Sequence, residues 1–203
     1  MGSADRTEEA RAAFDRAVEL DPGSHEANLW YAHFLMSSGQ LERSANMSIR
    51  ALEIDPEDFV SPLFAETVIR GLGRIVEARH YGELGIKRAE EAIRRYPKVS
   101  RPAQLLATTL AAMGRPDEAR RWLAHALAID PDDNLSRYNA ACTLALLGDH
   151  KEALDLLDRW SEIAGRQGLS HAREDPDLIP LRGHPRFEAL LLRTKLDQSS
   201  ANI

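Results

Sequence analysis

Histidines are the residues of this sequence best suited to bind a metal, but their spacing does not favour a site. Two imidazoles on one helical face require a separation of about three to five residues, as in a His-Glu-x-x-His arrangement. No two histidines are that close to each other; they are His25, His33, His80, His125, His150, His171 and His184. We therefore expect no metal site and no cofactor.

The single cysteine, Cys142, would act as a nucleophile only if a cationic or imidazole partner lowered its pKa. The sequence indicates no such partner, and a cysteine more commonly serves as a small apolar residue between helices. The stretch from Gly71 to Arg74 lacks the spacing and the preceding strand of a phosphate-binding loop. The chain is therefore predicted to be no enzyme by itself, although a separate catalytic domain could precede it. A catalytic site assembled across distant segments is the weaker alternative.

Composition excludes further classes of protein. The net charge of −6 argues against a nucleic-acid-binding protein, which needs a basic surface. No apolar run approaches the roughly 20 residues that span a bilayer, so we expect no membrane segment. A lone cysteine cannot form an internal disulfide, and this agrees with a cytoplasmic location.

Four prolines mark similar helix ends and indicate a repeat. Pro22, Pro56 and Pro131 end the related stretches AVELDP, ALEIDP and ALAIDP, and Pro97 ends RRYP. Pro22 and Pro56 are as far apart as Pro97 and Pro131, whereas the interval from Pro56 to Pro97 is seven residues longer. Gly39 and Gly114 lie at the same distance before Pro56 and Pro131, respectively, where a glycine can end a helix. Each unit therefore reads as helix, glycine turn, second helix and Asp-Pro.

This pattern resembles the tetratricopeptide repeat family, whose units are helical hairpins of about 34 residues. The interval from Pro22 to Pro56 has that length. The matching residues in the middle of the first helix are Tyr31, Ala32, Leu106, Ala107, Ala140 and Ala141. Those at the turn are Gly39, Gly114 and Gly148, and those at a large position of the second helix are Phe14, Leu123 and Leu157. The resemblance implies an all-α fold, a right-handed α-solenoid of helical hairpins with a C-terminal capping segment.

The predicted organisation begins with residues 1–6, a leader left by cloning or a disordered start. The array covers 7–164, with a half repeat at 7–22 and repeats at 23–56, 57–97, 98–131 and 132–164. A capping segment at 165–195 and a flexible tail at 196–203 follow. The half repeat lacks its first helix, so the face of Phe14 and Val18 is expected to be partly uncovered.

The longer interval, from Pro56 to Pro97, indicates seven additional residues in the second helix of one repeat. Seven residues turn a helix by about 700°, close to two full turns, so the buried face is almost preserved. Gly82 and Gly85 are expected to be close-contact or kink points, with a break between them as the alternative. The segment from Arg74 to Tyr96 is predicted to be the longest helix and, where it projects, a second candidate binding surface.

The C-terminal part has a narrower resemblance. YNAAC at 138–142 and DPDLIPLRGHPRF at 175–187 are similar to the end of bacterial signalling proteins in which tetratricopeptide repeats follow a nucleotide cyclase or a Ser/Thr kinase domain. The apolar residues available to cap the last repeat are Leu178, Ile179, Leu181, Phe187, Leu190 and Leu191.

The family resemblance implies a protein or peptide partner, bound in a groove lined by the first helices. Carried onto this sequence, the groove residues are Leu29, Trp30, His33, Leu63, Thr67, Arg70, Arg101, Gln104, Thr108, Tyr138 and Cys142. One subgroup of the family binds a C-terminal carboxylate with a fixed set of side chains. This sequence matches that set only at Arg101, so binding of a C-terminal carboxylate in that way is disfavoured. We expect a regulatory or scaffolding region of a larger bacterial signalling protein. The alternative is a homodimer formed through Phe14 and Val18.

Overall fold

The computed structural model describes residues 3–131 and 133–200, with side chains for 7–131 and 133–192. This part of the chain is helical and contains no strand, which confirms the predicted all-α class. No helix within it is both long enough and apolar enough to cross a bilayer. A 3₁₀ helix (Pro176–Leu181) precedes the last of the α-helices, which are α1 (Ser3–Leu20), α2 (His25–Ser37), α3 (Leu41–Ile54), α4 (Val60–Gly71), α5 (Ile75–Arg95), α6 (Ser100–Ala112), α7 (Pro116–Ile129), α8 (Asn134–Leu146), α9 (His150–Glu174) and α10 (Pro185–Ser200).

The two chain ends differ from the expected boundaries. α1 begins at Ser3, within the segment expected to be a leader or disordered start, whose first two residues lie outside the described part. At the other end, α10 continues through the start of the expected flexible tail to Ser200, and 201–203 lie outside the described part. Residue 132, the first of its repeat, is also outside it.

Successive helices pair into hairpins, α2 with α3, α4 with α5, α6 with α7 and α8 with α9. At the first turn the Gly39 amide donates to the carbonyl of Met36, and the Gln40 amide donates to the carbonyl of Leu35, each at 2.9 Å. This turn needs a residue in the left-handed conformation, which only glycine adopts without strain. All four turns have a glycine in this conformation: φ is +72° at Gly39, +77° at Gly73, +74° at Gly114 and +84° at Gly148.

An alanine lies five residues before each of Pro22, Pro56 and Pro131, and it is a packing position where the hairpin is complete. Ala51 of α3 and Ala126 of α7 are buried, because the first helix of each hairpin packs closely on them. The equivalent Ala17 of α1 is exposed. α1 lacks the first helix of its own hairpin, so this side of it has no cover within the described chain.

The helix α5 contains 21 residues, seven more than α3 and α7. It runs without a break through both internal glycines, which are close-contact points. A Cβ on Gly85 would lie 3.0 Å from the backbone nitrogen of Leu63, and one on Gly82 would lie 2.8 Å from Sδ of Met113. Buried residues of α5 run from Ala78 to Ile93, so the helix packs along its length.

The helix α9 is nominally longer than α5, at 25 residues, but it is interrupted at Gly165 (φ +63°, ψ −173°). α5 is therefore the longest uninterrupted helix of the described chain. After this interruption the chain caps the array as expected, with most of the predicted apolar residues buried against α8 and α9: Leu178, Leu181, Phe187, Leu190 and Leu191. Ile179 was wrongly included among them, since its side chain is 46% exposed. It lies between Leu178 and Pro180 on a short 3₁₀ helix, and the buried positions there are Leu178 and Leu181, three residues apart.

Candidate functional site

The first helices of the hairpins, α2, α4, α6 and α8, form the inner face of the array. α6 packs against α4 and α8, and α2 meets α4 where the ring of His33 lies 3.9 Å from that of Phe64. The chain turns back at Gly165, and its residues 166–181, here called the closing segment, cross this inner face. They contact α2, α4 and α8. The predicted cap thus also occupies part of the predicted groove.

The closing segment is fastened to α4 by a buried ion pair. Arg70 donates from Nε to Glu66 of the same helix at 2.9 Å, and from Nη2 to the carboxylate of Asp177. At the next residue, a Cβ on Gly71 would lie 2.5 Å from Cγ of Pro176. α4 therefore ends in a residue small enough to admit the closing segment.

Two further contacts fasten the closing segment to α8 and α2. The Tyr138 hydroxyl donates to Oδ2 of Asp175 at 2.6 Å. Oγ of Ser37 lies 2.9 Å from Nδ1 of His171. The segment is thereby held at both ends of the first-helix layer, by α2 of the first complete hairpin and by α8 of the last.

Three carboxyls interact with the Arg70 guanidinium, which is hydrogen-bonded to two of them, Glu66 and Asp177. Burial raises the pKa of Glu66 to about 7, against the opposing charge of Arg70. Burial and the neighbouring Asp175 raise the pKa of Asp177 to about 7. Burial also raises the pKa of Asp175. Glu66 and Asp177 are therefore partly protonated near neutral pH. These two residues, Asp175 and Arg70 are here called the Arg70 cluster.

Cys142 lies beside this cluster and is not activated as a nucleophile. Burial raises the pKa of its thiol, and the carboxyls of Asp175 and Asp177 raise it further, which is opposite to what a reactive thiolate requires. Its Sγ and one oxygen of each carboxyl lie within 4.8 Å of one another. A search for histidine pairs misses this grouping because it contains no histidine, and Cys142 is far from the two aspartates in sequence. Both carboxyls are already engaged, one by Arg70 and the other by Tyr138.

The space left between the inner face and the closing segment is a cavity of about 430 Å³. Most of the predicted groove residues line it: Trp30, His33, Leu63, Thr67, Arg101, Thr108, Tyr138 and Cys142. Three do not. Arg70 lies in the ion cluster, Gln104 donates to the Ser136 hydroxyl of α8 within the helix layer, and Leu29 is partly buried away from the cavity.

One wall of the cavity is aromatic. The ring of His33 lies between those of Trp30, at 5.7 Å, and Phe64, at 3.9 Å, with His171 of the closing segment at 6.2 Å. Burial, followed by the nearby His171 and Arg101, lowers the pKa of His33 to about 3. Burial alone lowers the pKa of His171 to about 4. Both imidazoles are therefore neutral near pH 7, so this wall carries no charge.

The cavity lining also includes a cation. Arg101 lies in the first turn of α6, partly buried, and it forms no hydrogen bond or ion pair with any residue in the described part of the chain. Burial lowers its pKa, while the carboxylates of Asp58 and Asp133 act on it from a distance in the other direction. An apolar cavity with one such cation can orient an anionic group.

Sequence reasoning missed several lining residues. Phe14, Phe34, Leu105 and Asn139 belong to α1 and the first helices, so the helical period could have placed them beside the residues it did select. Gln167, Gly168 and His171 come from the closing segment, where the repeat pattern has ended. No spacing signal marks them.

Comparison with known proteins agrees with this geometry. The family model described as "Tetratricopeptide repeat" matches residues 3–60 and 73–145, more than half of the chain. The chain belongs to the tetratricopeptide repeat (TPR) family. No curated protein sequence is significantly similar to it.

Solved structures share the fold. A thermophilic TPR protein of Thermus thermophilus, TTC0263, is 22% identical with a TM-score of 0.57, over 94% of this chain and 93% of that one. A chain of the APC/C hetero-tetramer Cut9–Hcn1 is 15% identical with a TM-score of 0.55, over 94% of this chain and 40% of that one. These likenesses confirm the predicted solenoid of helical hairpins. TPR proteins are generally protein-interaction modules, and the fold itself is a non-catalytic scaffold.

Proposed function

We propose that this TPR chain is a non-catalytic module that binds a protein partner at the mouth of the inner-face cavity. The supporting observation is a pair of large apolar side chains at that mouth. Trp30 of α2 is 56% exposed and Leu135 of α8 is 45% exposed, and both line the cavity. Exposed tryptophan beside a buried pocket is typical of residues that dominate protein interfaces. The partner would cover both side chains, because burying them removes apolar area from water.

The test compares partner recovery by the wild-type chain, Trp30→Ala and Leu135→Ala. The control is Ile163→Ala, which removes a similarly exposed apolar side chain from α9, outside the cavity. We expect both mouth variants to lose a partner that wild type and the control recover in equal amounts. Circular dichroism should be unchanged, since these side chains are largely exposed. Equal recovery by all four proteins would refute the proposed surface.

The larger context is also proposed. We infer that the module is a regulatory or scaffolding region of a longer, cytoplasmic bacterial signalling protein. The support is the resemblance carried by YNAAC and DPDLIPLRGHPRF, which the hydrogen bond from Tyr138 to Asp175 joins in space. The natural coding sequence upstream of Ala4 tests it. A nucleotide cyclase or kinase domain there would support the inference, and a complete natural protein without one would contradict it.

Self-association through α1 is the second candidate. It is favoured by the exposed side chain of Leu20, at 68%, together with the exposed Ala17. Phe14 is a poorer contact, because its ring stacks 5.4 Å from that of Tyr31 within the chain. Val18 is partly buried in a cleft beside α3. Sedimentation of wild type against Leu20→Glu therefore tests a dimer without disturbing the Phe14 stack, and identical sedimentation as monomers would exclude it.

A further inference from the structure

The cavity accepts a compact ligand better than an extended one. The closing segment crosses the inner face and contacts α2, α4 and α8, so a peptide running along the first helices would collide with it. The remaining volume of about 430 Å³ lies within the roughly 300–1,000 Å³ of small-ligand pockets. Its lining is mainly apolar and aromatic, with a few polar groups that could orient a ligand.

The charge of Arg101 is available because the two nearest carboxylates are committed elsewhere. Asp58 accepts from the backbone amides of Val60 and Ser61, at 3.0 and 2.6 Å, and lies 3.2 Å from Nε2 of His25. Asp133 accepts from the amide of Ser136 at 2.7 Å and caps α8. A partly desolvated guanidinium without an ion partner gains most from an anion brought into the cavity.

The carboxyls at the far side of the cavity do not cancel this preference. Asp175 and Asp177 are engaged by Tyr138 and Arg70. Arg101 lies in the first turn of α6, whereas Arg70 lies in the last turn of the parallel helix α4, so the two cations are at opposite ends of the layer. The N-cap of α6 is Val99, which supplies no side-chain oxygen, so the partial positive charge of the helix start adds to that of Arg101.

We propose that the cavity binds a small amphipathic carboxylate, with its acid group on Arg101 and its apolar body against the wall of Trp30, His33 and Phe64. This goes beyond the proposed partner at the mouth, because it concerns the interior and needs no second protein. The ligand class follows from the pairing of the Arg101 guanidinium with an uncharged aromatic wall.

The test is calorimetric titration of the purified chain with three probes that share an apolar body. 4-Phenylbutyrate carries the acid, 4-phenylbutanol is neutral and 4-phenylbutylamine is cationic. Wild type should bind the acid about tenfold more tightly than the alcohol, as expected for one charge-assisted hydrogen bond, and the amine least. Arg101→Gln should lower affinity for the acid to that for the alcohol and leave the alcohol unchanged. Arg79→Gln, on the exposed face of α5, should change neither.

Two results would overturn the proposal: equal affinity of wild type for acid and alcohol, or no binding of any probe at millimolar concentration. Leu105→Trp, which places a larger side chain in the cavity, should weaken binding of both the acid and the alcohol. Unaltered binding to this variant would show that the probe binds outside the cavity, against the proposal. Circular dichroism of each variant checks that it folds. No partner protein enters this assay, so its failure would leave the proposed mouth surface standing, and failure of the mouth variants would leave this result standing.

Discussion

Replacing Arg70 by glutamine would leave Glu66 and Asp177 in a buried site without their shared cation. Removing one partner of a buried ion pair costs about 3–5 kcal/mol, because the remaining charge stays desolvated. The carboxyls here already have pKa values of about 7, so below pH 6 they can remain neutral. The cost of Arg70→Gln should therefore be about 1–3 kcal/mol at pH 5.5, the range for unsatisfied neutral groups, and about 3–5 kcal/mol at pH 8.

The assay is urea unfolding of wild type and variant at both pH values. The control is Arg74→Gln. Arg74 also pairs with two carboxylates, Glu77 and Glu42, but at the exposed start of α5. Ion pairs exposed to solvent add little to stability, so the control should show a small loss that is equal at both pH values. A loss below about 1 kcal/mol for Arg70→Gln at pH 8, or one without pH dependence, would refute the account of the Arg70 cluster.

Three further predictions follow from the same structure. The raised pKa values of Glu66 and Asp177 mean that wild-type stability should fall as pH rises from about 4 to about 7; Asp177→Asn should flatten this fall in unfolding curves, and an equally steep fall would contradict the assignment. Gly85→Ala should lower the free energy of unfolding by about 1–3 kcal/mol, because its Cβ would press on the Leu63 backbone; unchanged stability would show that α4 can move away. Cys142 should resist iodoacetamide in the folded chain and react in urea, since burial raises its pKa; rapid native labelling would contradict its burial.

The hairpins could be predicted from sequence because their signals are local. A glycine at a left-handed turn and an alanine five residues before a proline act within one unit, and they recur at a fixed spacing. The additional seven residues of α5 were predictable for the same reason, since two helical turns restore the buried face. The sequence left two interpretations of Gly85, a close contact with another helix or a break in α5. It could not decide between them because the close neighbour of Gly85, Leu63, belongs to another helix.

The closing segment was not predictable in the same way. A cap was expected for residues 165–195 because the last repeat needs cover for its apolar face. The segment also covers part of the inner face. This second role depends on the ion pair between Arg70 and Asp177, which are separated by 107 positions in the chain. Neither residue's type or spacing indicates the other. Most of the predicted groove residues line the cavity, but the closing segment that covers it could not be predicted.

The closing segment also sets what the inner face can bind. A partner that uses the whole length of α4 and α8 must first displace Asp175 and Asp177. Its apparent affinity is then the intrinsic affinity multiplied by the fraction of molecules already open. Each increment of about 1.4 kcal/mol that the Arg70 cluster adds to closure lowers that affinity about tenfold. A ligand that fits the closed cavity avoids this cost entirely. We therefore expect the segment that caps the array to favour compact ligands, or partners at the mouth, over the extended peptide for which an open groove would be suited.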